Sequence, residues 1–189
     1  WYRGNQFEKW LEKLIINKTG NADITFEGLY KKGFKDLYTT GTCLNKQRLI
    51  IFSNKTYPRM KVKDAVRISM SIPLYFEAVF IDKEGNTIRH PRKKEGLDIM
   101  VDGGFTGNFP IHIFDTLSHS NFATLGFRID SDEQIRNDIE GKSIAPMPVG
   151  NLRQYIAAFY NMVIENLNRQ PLTKEDWSRT ISISDGNIG

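Results

Sequence analysis

Asp102 is the residue of this sequence best placed to do acid–base chemistry. It stands in Val-Asp-Gly-Gly-Phe-Thr-Gly-Asn-Phe-Pro, residues 101–110, directly after the mostly apolar run Leu97-Asp98-Ile99-Met100-Val101. A lone carboxylate at the end of an apolar strand serves as a metal ligand, a hydrogen-bond anchor or a general base, and the carboxyl edge of α/β sheets is where ligands collect. Gly103 and Gly104 take away side chains where another group has to come close. The same triplet also suits a plain turn between strands. At ordinary glycine usage it arises by chance in about one chain in twenty of this length, so its weight depends on its company.

Other chemistries find little footing. His90, His112 and His119 form no i, i+4 pair and no His-Glu-x-x-His, which argues against zinc. Asp130 and Asp132 begin like a calcium loop, but Gln134 and Ile135 stand where a third ligand and a glycine belong. There is no phosphate-binding G-x-x-x-x-G-K-[ST] and no G-x-G-x-x-G after a strand. A serine elbow, G-x-S-x-G, is also absent; the nearest string surrounds Ser143, lacks the second glycine and lies in a polar stretch. No metal and no cofactor is expected. Cys43, the only cysteine, excludes an internal disulfide framework and reads as a packed core thiol, in keeping with a reducing compartment.

The formal charge is +4, and much of the excess lies in Arg-His-Pro-Arg-Lys-Lys-Glu-Gly, residues 89–96. Basic loops of this size are usually solvated; an anionic lipid surface is the partner such a loop would suit, and nucleic acid is not expected. No run of eighteen apolar residues spans a membrane. The chain opens Trp-Tyr-Arg-Gly, with neither an initiator Met nor a signal peptide. It stops just after a strand-like run, so both ends read as cut. A cytoplasmic place, or one peripheral to a membrane, is expected.

The elements that must position Asp102 follow from hydrophobic period. Phe7, Trp10, Leu11, Leu14 and Ile15 share a helical face, with Asn5 as cap and Glu8 closing a capping box. A short helix is predicted from Thr25 to Gly33, and two strands over 36–44 and 48–53. Val62, Ala65, Val66 and Met70 predict a helix ended by Pro73. A hairpin over 76–90 precedes the strand that delivers Asp102. Asn108 and Pro110 predict a helix start, residues 123–129 a buried strand, and 130–150 a polar loop. Leu152, Tyr155, Ile156, Phe159, Val163 and Leu167 line a helix whose aromatic stripe reads as core. A capped turn at 173–177 and a strand at 180–184 close the chain. Helices interleaved with strands predict an α/β layered fold, a sheet with helices on both faces, in a single-domain fragment over residues 1–189.

The company Asp102 keeps is specific. Lys-Asp-Ala-Val-Arg-Ile-Ser-Met-Ser-Ile-Pro-Leu-Tyr-Phe-Glu-Ala-Val (63–79), followed by 101–110, resembles the second half of a patatin-like phospholipase domain. That family shows A-x-x-A-S-x-x-I-P-x-x-F and then D-G-G-x-x-x-N-x-P. Ala65, Ser69, Ser71, Ile72, Pro73 and Phe76 echo the first motif, with Ile68 in place of a small residue. Asp102, Gly103, Gly104, Asn108 and Pro110 match the second. The helix around Trp10 and the segments 24–30 and 49–66 also resemble the family, in the same order.

The resemblance implies a patatin-like fold incomplete at both ends. It implies a Ser-Asp dyad that hydrolyses lipid carboxylic esters, as a phospholipase A does, with Asp102 as its aspartate. Gly103 and Gly104 would then support the motif, leaving space for serine and acyl carbonyl. The family's glycine-rich oxyanion loop and its serine elbow belong before the segment where this sequence begins. The nucleophile is therefore expected from a missing N-terminal half, and this chain alone is expected to be inactive. The substrate would be a lipid ester at a membrane surface. The alternative is a catalytically inactive module of the same fold that binds lipid or protein.

Overall fold

The computed structural model describes residues 2–107, 109–116, 119–142, 144–168 and 172–186, the side chains of 165–168 excepted. Contacts divide the chain into two units, Trp1–Gly107 and Asn108–Gly189.

The first unit is organised by a five-stranded antiparallel sheet. Its strands are β1 (Thr39–Cys43), β2 (Arg48–Phe52), β3 (Val79–Ile81), β4 (Thr87–Ile88) and β5 (Asp98–Asp102), in the order β2-β1-β5-β3-β4. β1 and β2 form the expected hairpin, with Thr39 opposite Phe52 and Cys43 opposite Arg48. β5 lies between β1 and β3, with Gly41 opposite Asp102 and Ile81 opposite Asp98. Asp102 thus ends a central antiparallel strand, and the carboxyl-edge rule of parallel sheets does not account for its position.

Helix α1 (Asn5–Thr19) buries Leu11 and Ile15, whereas Trp10 and Leu14 of the same predicted face are exposed. Asn5 lies within the helix: Gly4, left-handed at φ 71°, takes the cap position without a side-chain bond. Glu8 is drawn instead to Arg67 (3.5 Å) and Arg89 (2.7 Å). Helix α2 (Phe26–Lys31) starts as predicted, with Thr25 Oγ1 accepting the Gly28 N–H at 3.1 Å. Helix α3 (Val62–Ser69) ends three residues before Ile72-Pro73 and packs on β1 and β5.

Phe26, Phe52, Met60, Ile68, Ile81 and Met100 fill the core between these elements. Each such burial stabilises by about 1.5–3 kcal/mol. Ile68, larger than its motif position suggests, is accommodated by Gly41. A Cβ on Gly41 would stand 2.6 Å from Ile68 Cγ2 and 2.9 Å from the Phe52 ring. Cys43 is fully buried as expected, its Sγ 3.2 Å from Asn45 Oδ1.

The chain beyond Asp102 departs from expectation. A one-turn helix, α4 (Gly104–Gly107), follows Gly103 directly, and after Pro110 there is only a 3-10 turn, Ile111–Phe114. Asn108 lies outside the described residues.

In the second unit β6 (Gly126–Asp130) and β7 (Thr180–Ser184) pair in parallel, with Phe127 opposite Ile181 and Ile129 opposite Ile183. The prediction of a buried strand fails for Phe127 and Ile129, which are exposed. The predicted polar loop contains helix α5 (Asp132–Ile139), capped by Ser131. Ser143 lies outside the described residues. Helix α6 (Leu152–Asn168) forms as predicted, but Leu152, Tyr155, Ile156 and Phe159 are exposed rather than core. The period fixes which side chains share a face and says nothing of what covers it. The Leu167 side chain lies outside the described residues. Helix α7 (Lys174–Ser178) carries a complete capping box between Thr173 and Asp176.

The α/β class is as predicted: helices combined with an antiparallel sheet and a parallel strand pair.

Candidate active site

Asp102 is fixed through its backbone and one side-chain oxygen. Its N–H donates to the Ser71 carbonyl at 3.0 Å, just past the end of α3. Its Oδ1 accepts the Gly104 N–H at 2.8 Å, the first amide of α4. Among the described residues no group hydrogen-bonds to Oδ2, and no Lys, Arg or His pairs with the carboxylate. Burial pushes the Asp102 carboxyl above its ordinary value of 3.8, and the Gly104 N–H opposes the rise by stabilising the anion. The result is a half-buried carboxylate with one oxygen pinned and the other without a hydrogen-bond partner among the described residues.

Each glycine of the pair has a contact of its own. A Cβ on Gly103 would lie 2.2 Å from Thr40 Oγ1 and 2.6 Å from the Thr40 carbonyl carbon. Gly103 is thus demanded by β1, which passes too close for any side chain. Gly104 supplies the amide that holds Oδ1 and opens α4. The turn after it is braced by the Thr42–Thr106 hydroxyl pair at 2.9 Å and by Leu49, whose Cδ2 would be 2.8 Å from a Cβ on Gly107. Sequence reading did not foresee Thr40, Thr42 or Leu49, since nothing local marks a strand that passes under a loop some sixty residues later.

A family model for patatin-like phospholipases matches residues 1–115. The chain belongs to the patatin-like phospholipase family. At the level of the family the activity is lipid hydrolysis. The match takes in every residue of the first unit, including the β5–α4 junction, and leaves residues 116–189 outside it. The chain is also 31% identical over 157 residues to uncharacterized protein R571 of Acanthamoeba polyphaga mimivirus. That alignment covers 83% of this chain, which spans 45% of the length of the relative.

The other polar clusters of this patatin-like chain are already internally paired. His112, Asp115 and Asp176 lie close enough to share a metal ion, an arrangement that sequence spacing did not reveal. Arg179 occupies their carboxylates, with Nη2 at 2.6 Å from Asp115 and 2.7 Å from Asp176, and Nη1 at 2.7 Å from Asp115. This bidentate contact holds the Asp115 carboxyl well below the usual range. The cluster ties the start of β7 to the 112–121 segment, which is a structural task. In the basic loop, Arg89 is bound to Glu8 and Lys94 stands 5.3 Å over the Phe80 ring, leaving Arg92 and Lys93 as exposed cations. No helix among the described residues is long and apolar enough to cross a membrane.

Proposed function

We propose that Asp102 is the general base of a Ser-Asp dyad that hydrolyses carboxylic esters of lipids, in the manner of a phospholipase A. The observation that carries this reading is the carboxylate with Oδ1 pinned by Gly104, Oδ2 unpaired among the described residues and no cation beside it. Oδ2 accepts the serine Oγ–H proton as Oγ attacks the ester carbonyl. When the tetrahedral intermediate collapses, the proton passes to the departing alcohol and an acyl-serine remains. Water then attacks the acyl-serine, giving its proton to Asp102, which returns it to serine as the fatty acid leaves. A carboxylate with its pKa raised is a better base for this work than an ordinary Asp.

The serine is not in an elbow within residues 1–189, so we assign it to a preceding half of the domain, without which this chain has no turnover. This chain spans 45% of the length of the mimivirus relative, which is long enough to hold such a half. The parallel pair β6–β7, whose Phe127, Ile129, Ile181 and Ile183 are exposed, supports such a half, since parallel strands are ordinarily covered on both faces. Arg92 and Lys93 would favour an anionic lipid surface. A purely binding module has no need of a desolvated carboxylate, which costs stability when charged.

The test is the pH dependence of phospholipid hydrolysis by the complete protein. kcat/KM should fall toward acid through a limb above 3.8, the ordinary Asp value. For folding the sign is opposite. A carboxyl raised in the folded state favours the fold below the unfolded value, and that contribution is lost as pH rises through the folded one. An activity with no carboxylate limb would exclude Asp102 as the base.

A further inference from the structure

We infer that Arg67 is the positioning residue for Asp102, clamping through Ser71 the backbone carbonyl on which the base hangs. This rests on the role proposed for Asp102.

Arg67 lies in the last turn of α3 and is only 5% exposed. One edge of its guanidinium, through Nη1, donates to the hydroxyl of Ser71, which is fully buried. That hydroxyl donates in turn to the Arg67 carbonyl at 2.6 Å. The Ser71 carbonyl then accepts the Asp102 N–H. The opposite edge is anchored separately: Nη2 donates to the Arg3 carbonyl at 3.0 Å, and Nε lies 3.5 Å from Glu8 Oε1. The Phe76 ring centroid lies 5.5 Å from Cζ.

Room for this head is provided by Gly4. A Cβ there would come within 2.7 Å of Arg67 Nε, and the backbone is left-handed at φ 71°. Three segments of chain thus converge on one guanidinium, and the turn it holds carries Asp102.

Burying a guanidinium is costly, and an apolar residue of the same volume would often stabilise a fold as well or better. Burial indeed draws the Arg67 pKa below the ordinary guanidinium value, with Glu8 opposing. What an apolar residue cannot do is hold the 69–72 turn and the Arg3 carbonyl in one plane. Lysine, a single ammonium, lacks the planar fork that reaches both.

The experiment uses the complete protein with Arg67→Met, Arg67→Lys, Ser71→Ala and the double Arg67→Met/Ser71→Ala. Phe26→Leu serves as a core control at a residue that makes none of these bonds. Arg67→Met and Ser71→Ala should lower kcat by about 10- to 100-fold with KM within about twofold, since a small displacement of a reacting group is enough. Their acid limb should move down toward the ordinary Asp value, because a loosened turn admits water to Asp102. Arg67→Lys should behave like Arg67→Met. The double variant should be no worse than Arg67→Met alone, as expected of two residues acting in series. Phe26→Leu should lower Tm and leave the limb where it is.

Should Arg67→Met not fold, Ser71→Ala, which removes one hydroxyl, reads the same link. Wild-type kcat and an unmoved limb in a folded Arg67→Met or Ser71→Ala protein would overturn the inference. So would full additivity in the double variant. Retention of hydrolysis by Asp102→Asn would instead count against the dyad itself.

Discussion

Asp102→Asn in the complete protein is expected to lower kcat/KM for lipid ester hydrolysis by about 10^3-fold or more while leaving the fold intact. The separation of the two effects follows from the geometry. Asparagine keeps an Oδ1 that accepts the Gly104 N–H, now 2.8 Å from the carboxylate, and its backbone N–H keeps the Ser71 carbonyl. The amide cannot take the proton that Oδ2 would take from serine. Because the wild-type carboxylate is raised by burial, its charge is a cost to the fold at neutral pH. The variant should therefore have a Tm equal to or slightly above that of the wild type. Turnover within a few fold of wild type would remove Asp102 from the mechanism.

Gly103→Ala should have the largest effect on stability. The added Cβ would overlap Thr40 Oγ1 and Cβ, and also its carbonyl carbon. A flexible side chain can swing away; the backbone of a strand paired on both sides cannot, since Thr40 pairs with Ile51 and the adjacent Gly41 with Asp102. Forcing β1 from β5 is expected to cost about 3 kcal/mol or more, at or above the usual upper range for overpacking. Ester hydrolysis should fall as well, because the Asp102 backbone moves with the strand. Thr40→Gly in the same chain removes Oγ1 and Cβ but not the carbonyl carbon, so it should restore only part of the loss. Denaturant unfolding of the three proteins measures this. A Gly103→Ala midpoint equal to that of the wild type would show that access to the carboxylate, rather than packing, explains the glycine.

Much of this site was legible from local pattern, and the reasons are physical. Thr25 and Thr173 announced helix starts because a cap is a local hydrogen bond between a side chain and an amide a few residues on. The strand ending at Asp102 follows from a short, mostly apolar run, and the β1–β2 hairpin from two strand-like runs joined by a short turn. What was hidden depends on residues far apart in sequence. Glu8 has the spacing of a capping-box residue, yet two distant arginines hold it. Gly41 gives no sign that Ile68 will lie against it, nor Gly103 that Thr40 will. The period of α6 places Leu152, Tyr155, Ile156 and Phe159 on one stripe, but coverage of a face is decided by what packs there, and these four are exposed. His112, Asp115 and Asp176 have no motif spacing; His112 bonds Asp115 directly at 2.9 Å, and Arg179 bridges Asp115 to Asp176.

Hydrolysis by the proposed dyad requires a serine outside residues 1–189 acting with Asp102. Its most direct test is the intact mass of the complete protein and of the 1–189 chain after reaction with a serine-directed fluorophosphonate, with the adduct then mapped to a peptide. One adduct on the complete protein, at a serine preceding residue 1 of this numbering, with none on the 1–189 chain, is the predicted result. An adduct on a serine within residues 1–189, or none on the complete protein, would contradict it.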